Sequence, residues 1–553
     1  MTPRDDLSAR MARPQRHRLL QGFPAVPTMV PAAPDDEEDA GLDTRDRHWG
    51  NENVTRGLDG ALVDGRFAVA RAGLAKAPLE LRLMGDEPED QAWLERARED
   101  QAKERARWQR IVARGDRSAP ALFDVDGTRE LLVGVLPHTQ CVARRPSCGF
   151  CTFPYDQADS LRRRGMVRGV LRDLRALTRE GPLAGRQVHA IYLGGGTANL
   201  APPEEIGWVV QALGEHLRIA DAELTLEGTP HLFEGLFWSH LKALAKLPVG
   251  QRRISMGLQT FDEGLLRLMG RERFGDAALV RKLAKRCRAL GLACSGDLLF
   301  NLPGQSLSQM ERDVDTAVAA GLDQICLYHL VLYPGLGTPW SQDPALVAAV
   351  PNNEAACEHW LRLRERLLSA GYTQSTLTNF ERADVGEKRF RYEVASFSVE
   401  RTDGLGVGPL SLSTFVNPAQ GRGLKLLRRK DLGFPPWSGG DLMYQYDAQG
   451  LRLLFLTRGL AKTRVERAVY RRLFGTELKD DLGAALPAVL HAGLVTVDDE
   501  ALALTPTGMF YADAVVSLFA QTARAVDGSA GGGVHTRDLL RELPHSGDYT
   551  GMG

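Results

Sequence analysis

Three of the seven cysteines fall within eleven residues, as Cys141-Val-Ala-Arg-Arg-Pro-Ser-Cys148-Gly-Phe-Cys151. Thiolates favour soft metals, chiefly zinc and iron–sulfur clusters. A structural zinc site takes four protein ligands. Only three cysteines gather here, with His138 and His189 as conceivable fourth ligands. A [4Fe–4S] cluster held by three thiolates leaves one iron open, which a substrate-binding cluster requires. The other cysteines, Cys287, Cys294, Cys326 and Cys357, lie in apolar contexts and read as core thiols.

A second segment, Tyr192-Leu-Gly194-Gly195-Gly196-Thr197, ends an apolar run in three glycines. Missing side chains let backbone approach a ligand and free its N–H and C=O groups for bonding. No Gly-Lys-Ser/Thr follows, so it is not a phosphate-binding P-loop.

Both segments need elements to position them. Short apolar runs at 131–136, 188–193, 222–227, 253–258, 295–300 and 324–329 alternate with helical patterns such as 204–218 and 277–290. Six strand–helix repeats predict a parallel α/β fold, a partial (β/α)6 TIM-like barrel with its chemistry at the C-terminal strand ends. The domains expected are an N-terminal extension over 1–128, partly disordered; the barrel, 129–345; a region covering it, 346–430; a C-terminal α+β winged-helix-like domain, 431–528; and a flexible tail, 529–553. The stretch 79–111 is rich in Ala, Glu and Arg and reads as an exposed helix. In the C-terminal part, helices are expected over 451–456 and 465–474, then two short strands within 493–505.

Composition narrows the function. The 553-residue chain has 69 Lys+Arg against 70 Asp+Glu, so no global field draws it to nucleic acid or anionic membrane. The run Lys425-Leu-Leu-Arg-Arg-Lys430 reads as a solvated face, and nucleic acid is not expected as a partner. No apolar run approaches the ~18–20 residues that span a bilayer. The start lacks the apolar core of a secretory signal, so a reducing, cytoplasmic setting is expected.

Taken in order, the motifs resemble radical S-adenosylmethionine (SAM) enzymes of the oxygen-independent coproporphyrinogen III oxidase-like group. They are the cysteine segment with Phe153, Gly194-Gly-Gly-Thr197, Arg253-Ile-Ser-Met-Gly-Leu-Gln259-Thr-Phe261, Leu268-Met-Gly-Arg271, Asp297-Leu-Leu-Phe-Asn-Leu-Pro-Gly-Gln305 and Tyr328-His-Leu-Val-Leu-Tyr-Pro334. Gly371 to Phe380 and Gly404 to Pro409 continue the likeness. The group includes the porphyrinogen oxidase, haem chaperones, haem-cleaving enzymes and SAM-dependent carbon methylases.

The resemblance implies a radical SAM barrel and assigns roles. Cys141, Cys148 and Cys151 would hold a [4Fe–4S] cluster. Gly194, Gly195, Gly196 and Thr197 would meet the SAM amino group, with Glu227 bonding it or a catalytic partner. Gln259 and Arg271 would contact the SAM carboxylate and ribose region, and Asp297 the ribose hydroxyls. Phe150 would pack against cluster and adenine, and Tyr328 would join Glu227 in catalysis. The implied chemistry is reductive cleavage of SAM to a 5′-deoxyadenosyl radical that functionalises a carbon centre, with carbon methylation as the leading expectation. An anaerobic tetrapyrrole-modifying activity and haem chaperoning are the alternatives. A reductant such as flavodoxin or ferredoxin and a small-molecule or tetrapyrrole-like substrate are the implied partners.

The chain departs from the group's pattern at several points. Its first two cysteines are separated by six residues rather than three. Doubling a loop costs only about 0.6 kcal/mol of closure entropy, small beside the roughly 10 kcal/mol of structural metal–thiolate binding. Val133 and Val135 align with a Tyr-x-His pair that would touch SAM or substrate, and Thr152 stands where the oxidase has a further cysteine. Glu387-Lys-Arg-Phe-Arg-Tyr392 replaces an Arg-His-Asn segment of the chaperones. These differences point away from porphyrinogen oxidation and simple chaperoning.

Overall fold

The structure, a computed structural model, describes residues 125–519 apart from short gaps, with 68–69 and 81–82 in addition. The gaps are 143–147, 152, 154, 331, 333–337, 352, 386–389, 429–431, 434–435, 438–441, 447, 483–484, 513–514 and 517–518. Of the helix expected over 79–111 only Leu81–Arg82 are described, and they form a short strand paired with Ala68–Val69 instead; Thr152, Glu387 and the tail beyond 528 lie outside the described residues.

Six parallel strands form the centre: β1 (Glu130–Val135), β2 (Val188–Leu193), β3 (Glu223–Gly228), β4 (Gln251–Gln259), β5 (Ala293–Phe300) and β6 (Gln324–His329). They pair in chain order, each with the next, as a partial (β/α)6 barrel. Beyond β6 lie β7 (Tyr372–Gln374) and β8 (Asn379–Arg382), with β8 antiparallel to β6. Beyond β1 lie β9 (Thr402–Val407), parallel to it, then β10 (Leu412–Asn417), β11 (Arg422–Leu427) and β12 (Leu442–Tyr446), joined antiparallel. The sheet has twelve strands in all.

Side chains alternate across each strand. One set, including Ile191, Leu193, Leu224, Leu226, Ile254, Met256, Leu298 and Ile325, forms the main core against the helices. The alternate set is polar: Glu223, Thr225, Glu227, Arg253, Ser255, Ser295, Asp297 and Gln324 are all buried. Parallel strands buried on both faces are ordinarily apolar throughout, so this alternation marks a lumen with chemistry in it. Arg253 spans that lumen. It donates to Thr225 Oγ1 and Gln324 Oε1, each at 2.8 Å, and pairs with Glu223 at 3.6 Å.

A second core gathers around Leu460, Tyr470, Leu482, Val489 and Leu502. It holds helix Ala448–Ala461 and a three-stranded sheet in which β15 (Ala501–Leu504) lies between β13 (Arg464–Glu466) and β14 (Val495–Val497). The helix expected from Val465 instead begins at Arg467. Val465 is buried and pairs with Leu502 in the strand ladder, which overrides its local helical pattern. The run expected to be a solvated face is also corrected. Lys425 and Arg428 are buried, and Arg428 Nη2 meets Asp173 at 2.9 Å. Lys425 sits in β11 between buried Leu424 and Leu426, and a buried carboxylate compensates Arg428 just past the strand end.

Candidate active site

Cys141 ends a two-residue strand, Gln140–Cys141, that pairs with Asp156–Gln157. The Gln140 side chain bonds both backbone groups of Asp159, at 2.8 and 2.9 Å. Asp159 caps helix Ser160–Thr178. The cysteine loop is therefore pinned at both ends before any metal is considered. Thr197 ties it to the glycine segment. Its N–H donates to Gln140 O at 2.9 Å, and its hydroxyl donates to Cys141 Sγ at 3.0 Å.

Cys148 is held from the segment that follows helix Glu263–Leu268. Its N–H donates to Met269 O at 2.8 Å, and Arg271 Nη1 donates to its sulfur at 3.2 Å. Gly149 lies under Trp340 so closely that a Cβ there would meet the indole at 2.0 Å, and Phe150 meets the same ring edge-on. Burial and the neighbouring Cys148 and Cys141 thiols push Cys151 up to about 12. Ligation reverses such a shift, because metals bind thiolate. Among the described residues none of the seven cysteines is in a disulfide.

The three cysteines line one cleft with Gly196, Thr197, Glu227, Thr229, Arg271 and Phe274. Glu227 is raised well above the ordinary carboxylate range by burial and then by Asp297; the Gly195 N–H and the Tyr192 hydroxyl only partly offset this. Its Oε2 has no partner, nor do Gln259 Nε2, Arg271 Nε and Thr229 Oγ1. Gln259 stands at φ +69° beside a register shift in β4, a bulge of the kind that re-aims a side chain. Asp297 lies deeper, pushed up to about 7 by burial. Tyr328 is buried on the same inward face, raised by burial and the nearby Cys326 and Asp297.

Several expectations change. Arg271 reaches Cys148 Sγ and Gly257 O rather than standing open, and the Thr197 hydroxyl is engaged by Cys141. Val133 and Val135 point into the outer core, so the alignment of these two with site residues fails. The alternate residues of that strand, Leu132 and Gly134, take the other face. His189 pairs with Glu130 where β1 and β2 begin, at the far end of the strands from the cysteines, and is no fourth ligand. His138 is buried near Gly195, held down at about 4 by burial and Arg163.

Sequence reading missed Tyr192, Asn199, Thr229 and Trp340. Asn199 bonds both backbone groups of Thr229, at 3.1 and 3.2 Å, fixing the end of β3. Tyr192 was recoverable: it lies two residues before Gly194 and so shares its face.

A profile of the radical SAM superfamily matches residues 135–317. The haem chaperone HemW of Mycobacterium tuberculosis is 27% identical over 408 residues, 69% of this chain and 93% of that one. These matches support a HemN/HemW-like radical SAM family for the chain. The bovine mitochondrial radical S-adenosyl methionine domain-containing protein 1 is 31% identical over 237 residues, 42% of this chain. The match spans about half, 51%, of that relative's length. Coproporphyrinogen III oxidase (HemN) from Escherichia coli shares the fold, with a TM-score of 0.58 at 19% identity over 71% of this chain and 91% of that one.

Radical SAM membership implies a cluster and SAM, and this site fits both. Among the described residues no group of His, Cys, Asp or Glu is gathered as for a single metal ion. A cubane binds each thiolate at a different iron, so its sulfurs stand wider apart than the ligands of one ion. The unpartnered Glu227, Gln259 and Arg271 atoms beside the glycines match a ligand that carries amino, carboxylate and hydroxyl groups. No helix among the described residues is long and apolar enough to cross a membrane.

Proposed function

We propose that this chain is a radical SAM enzyme whose Cys141, Cys148 and Cys151 hold a [4Fe–4S] cluster beside a SAM site. The observation that carries the reading is the single cleft shared by three thiols, Gly196-Thr197 and the unpartnered carboxylate oxygen of Glu227. Bound together, cluster and SAM supply one-electron cleavage of the sulfonium and a 5′-deoxyadenosyl radical that takes hydrogen from carbon.

The chain's residues do the rest. Glu227 Oε2 accepts from the SAM amino group, and the Tyr192 hydroxyl and Gly195 N–H hold its other side in place. Gln259 Nε2 and Arg271 Nε donate toward carboxylate or ribose oxygens, and Asp297 accepts from hydroxyls. Phe150, Trp340, Met269 and Leu302 exclude water above the cysteine loop. Tyr328, inward and buried, orients substrate or holds a proton at its hydroxyl. A flavodoxin- or ferredoxin-type donor supplies the electron.

Carbon methylation is the favoured outcome, with anaerobic tetrapyrrole modification behind it. The inward positions of β1 at Leu132 and Gly134 offer no proton donor for a propionate side chain. A haem-handling role is the third reading, favoured by alignment along 93% of HemW of Mycobacterium tuberculosis. Anaerobically reconstituted protein, reduced and given methyl-labelled SAM, separates the three. Deoxyadenosine with a methylated product supports the first, a decarboxylated porphyrin the second, and tight haem binding without deoxyadenosine the third.

A further inference from the structure

We propose that Arg271 and Thr197 set the reduction potential of the cluster by hydrogen bonding to its ligand sulfurs; this rests on the cysteine assignment above. Among the described residues each of the three sulfurs accepts a hydrogen bond, and these donors differ in kind. Cys141 takes the Thr197 hydroxyl at 3.0 Å, Cys148 takes Arg271 Nη1 at 3.2 Å, and Cys151 takes the backbone N–H of Phe153.

The donors are committed before a metal binds. The Thr197 oxygen accepts the Val142 N–H at 3.4 Å, so its one proton is left for Cys141. Arg271 is buried, its Nη2 donates to Gly257 O at 2.5 Å, and its guanidinium sits 4.7 Å from the Phe274 ring centroid. Among the described residues its hydrogen bonds go to a carbonyl and to the Cys148 sulfur. A buried cation is costly unless an anion compensates it. A neutral thiol at Cys148 does not compensate, and a thiolate ligand does.

The physical consequence has a sign. Reduction adds an electron whose charge is shared with the ligand sulfurs. Donors aimed at those sulfurs stabilise the reduced state more than the oxidised one, so they raise the potential. Arg271 adds full charge to its hydrogen bond and is the stronger of the two. Both are positioning residues for electron transfer, acting through the thiolates. The Phe153 donor is backbone and is untouched by any substitution except proline.

The test is redox titration of the reconstituted cluster without SAM, followed by visible absorption and electron paramagnetic resonance. Leaving SAM out removes any effect of Arg271 on its binding. Thr197→Val deletes the hydroxyl at constant shape, Thr197→Ser keeps it, and Arg271→Met deletes charge and donor. At the potential where the parent cluster is half reduced, Arg271→Met should lower the reduced-to-oxidised ratio at least tenfold, about 59 mV for one electron. Thr197→Val should lower it by less, and Thr197→Ser should match the parent. Parent potentials in both Thr197→Val and Arg271→Met, at full iron content, would overturn the proposal. So would loss of iron from Thr197→Val and Thr197→Ser alike, since the hydroxyl would then have no separate effect. Failure of the cysteine assignment shows differently, as a parent chain that binds no cluster.

Discussion

Arg253 Nη1 meets Glu393 Oε1 at 2.6 Å inside the barrel, joining β4 to the helix Arg391–Ser396 that closes the lumen from the side. Arg253 is fully buried and also pairs with Glu223. Removing the cation leaves two carboxylates without their partner in low dielectric. Arg253→Met should therefore lose about 3–5 kcal/mol of stability. Denaturant unfolding measures it, and Glu393→Gln in the same chain should recover part of the loss. An Arg253→Met variant as stable as the parent would mean that the lumen tolerates unpaired charge.

The Asp297 carboxyl, pushed up to about 7 mainly by burial, gives a pH dependence with a definite sign. Ionised, it accepts ribose hydroxyls strongly; protonated, it is a weaker acceptor with one oxygen carrying a proton. Binding of S-adenosylhomocysteine should weaken as pH falls from 8 to 6, and Asp297→Asn should flatten the profile. The folding linkage runs the other way. The folded value lies above the ordinary 3.8, so this group's contribution to stability falls as pH rises from about 4 to 7. Asp297→Asn should thus gain stability at pH 8 and little at pH 4. Calorimetry at both values decides it.

Two neighbouring glycines should separate SAM binding from cluster binding. A Cβ on Gly194 would stand 2.6 Å from Glu227 Oε2 and 2.7 Å from the Tyr192 ring. One on Gly196 would stand 2.6 Å from Gln140 O, next to Cys141. Overpacking of this kind costs roughly 1–3 kcal/mol. Gly194→Ala should keep its iron and bind SAM about five- to a hundredfold more weakly. Gly196→Ala should lose iron first. Equilibrium dialysis with parallel iron analysis reads both, and identical profiles for the two variants would contradict the arrangement.

The reduced protein with SAM should form deoxyadenosine but no protoporphyrinogen from coproporphyrinogen III. Chromatography of anaerobic incubations checks this. Decarboxylation of both propionates above a no-enzyme control would put the tetrapyrrole reading first.

Much of this was legible in the chain because strand–helix alternation and close-spaced cysteines are local signals. All six central strands were placed within two residues of their ends. What failed was facing and distance. Val133 and Val135 were set beside the site because an alignment fixes position along a strand, while a shift of one residue reverses its face. The Arg253–Glu393 pair joins residues 140 apart, and no local pattern announces it. Lys425 and Arg428 looked solvated because charge was read without the strand that holds Lys425 and the distant Asp173 that pairs with Arg428. The Cys148–Arg271 hydrogen bond, between residues 123 apart, was hidden likewise, and Arg271 was assigned from its motif alone.

The central claim is that Cys141, Cys148 and Cys151 hold the cluster, and iron and sulfide analysis of anaerobically reconstituted protein tests it most directly. The parent chain should bind about four irons and four sulfides, with visible absorption that bleaches on reduction. The Cys141→Ala, Cys148→Ala, Cys151→Ala triple variant should bind almost none, while a Cys287→Ala, Cys294→Ala control keeps the parent content. A full reducible cluster in the triple variant would contradict the account.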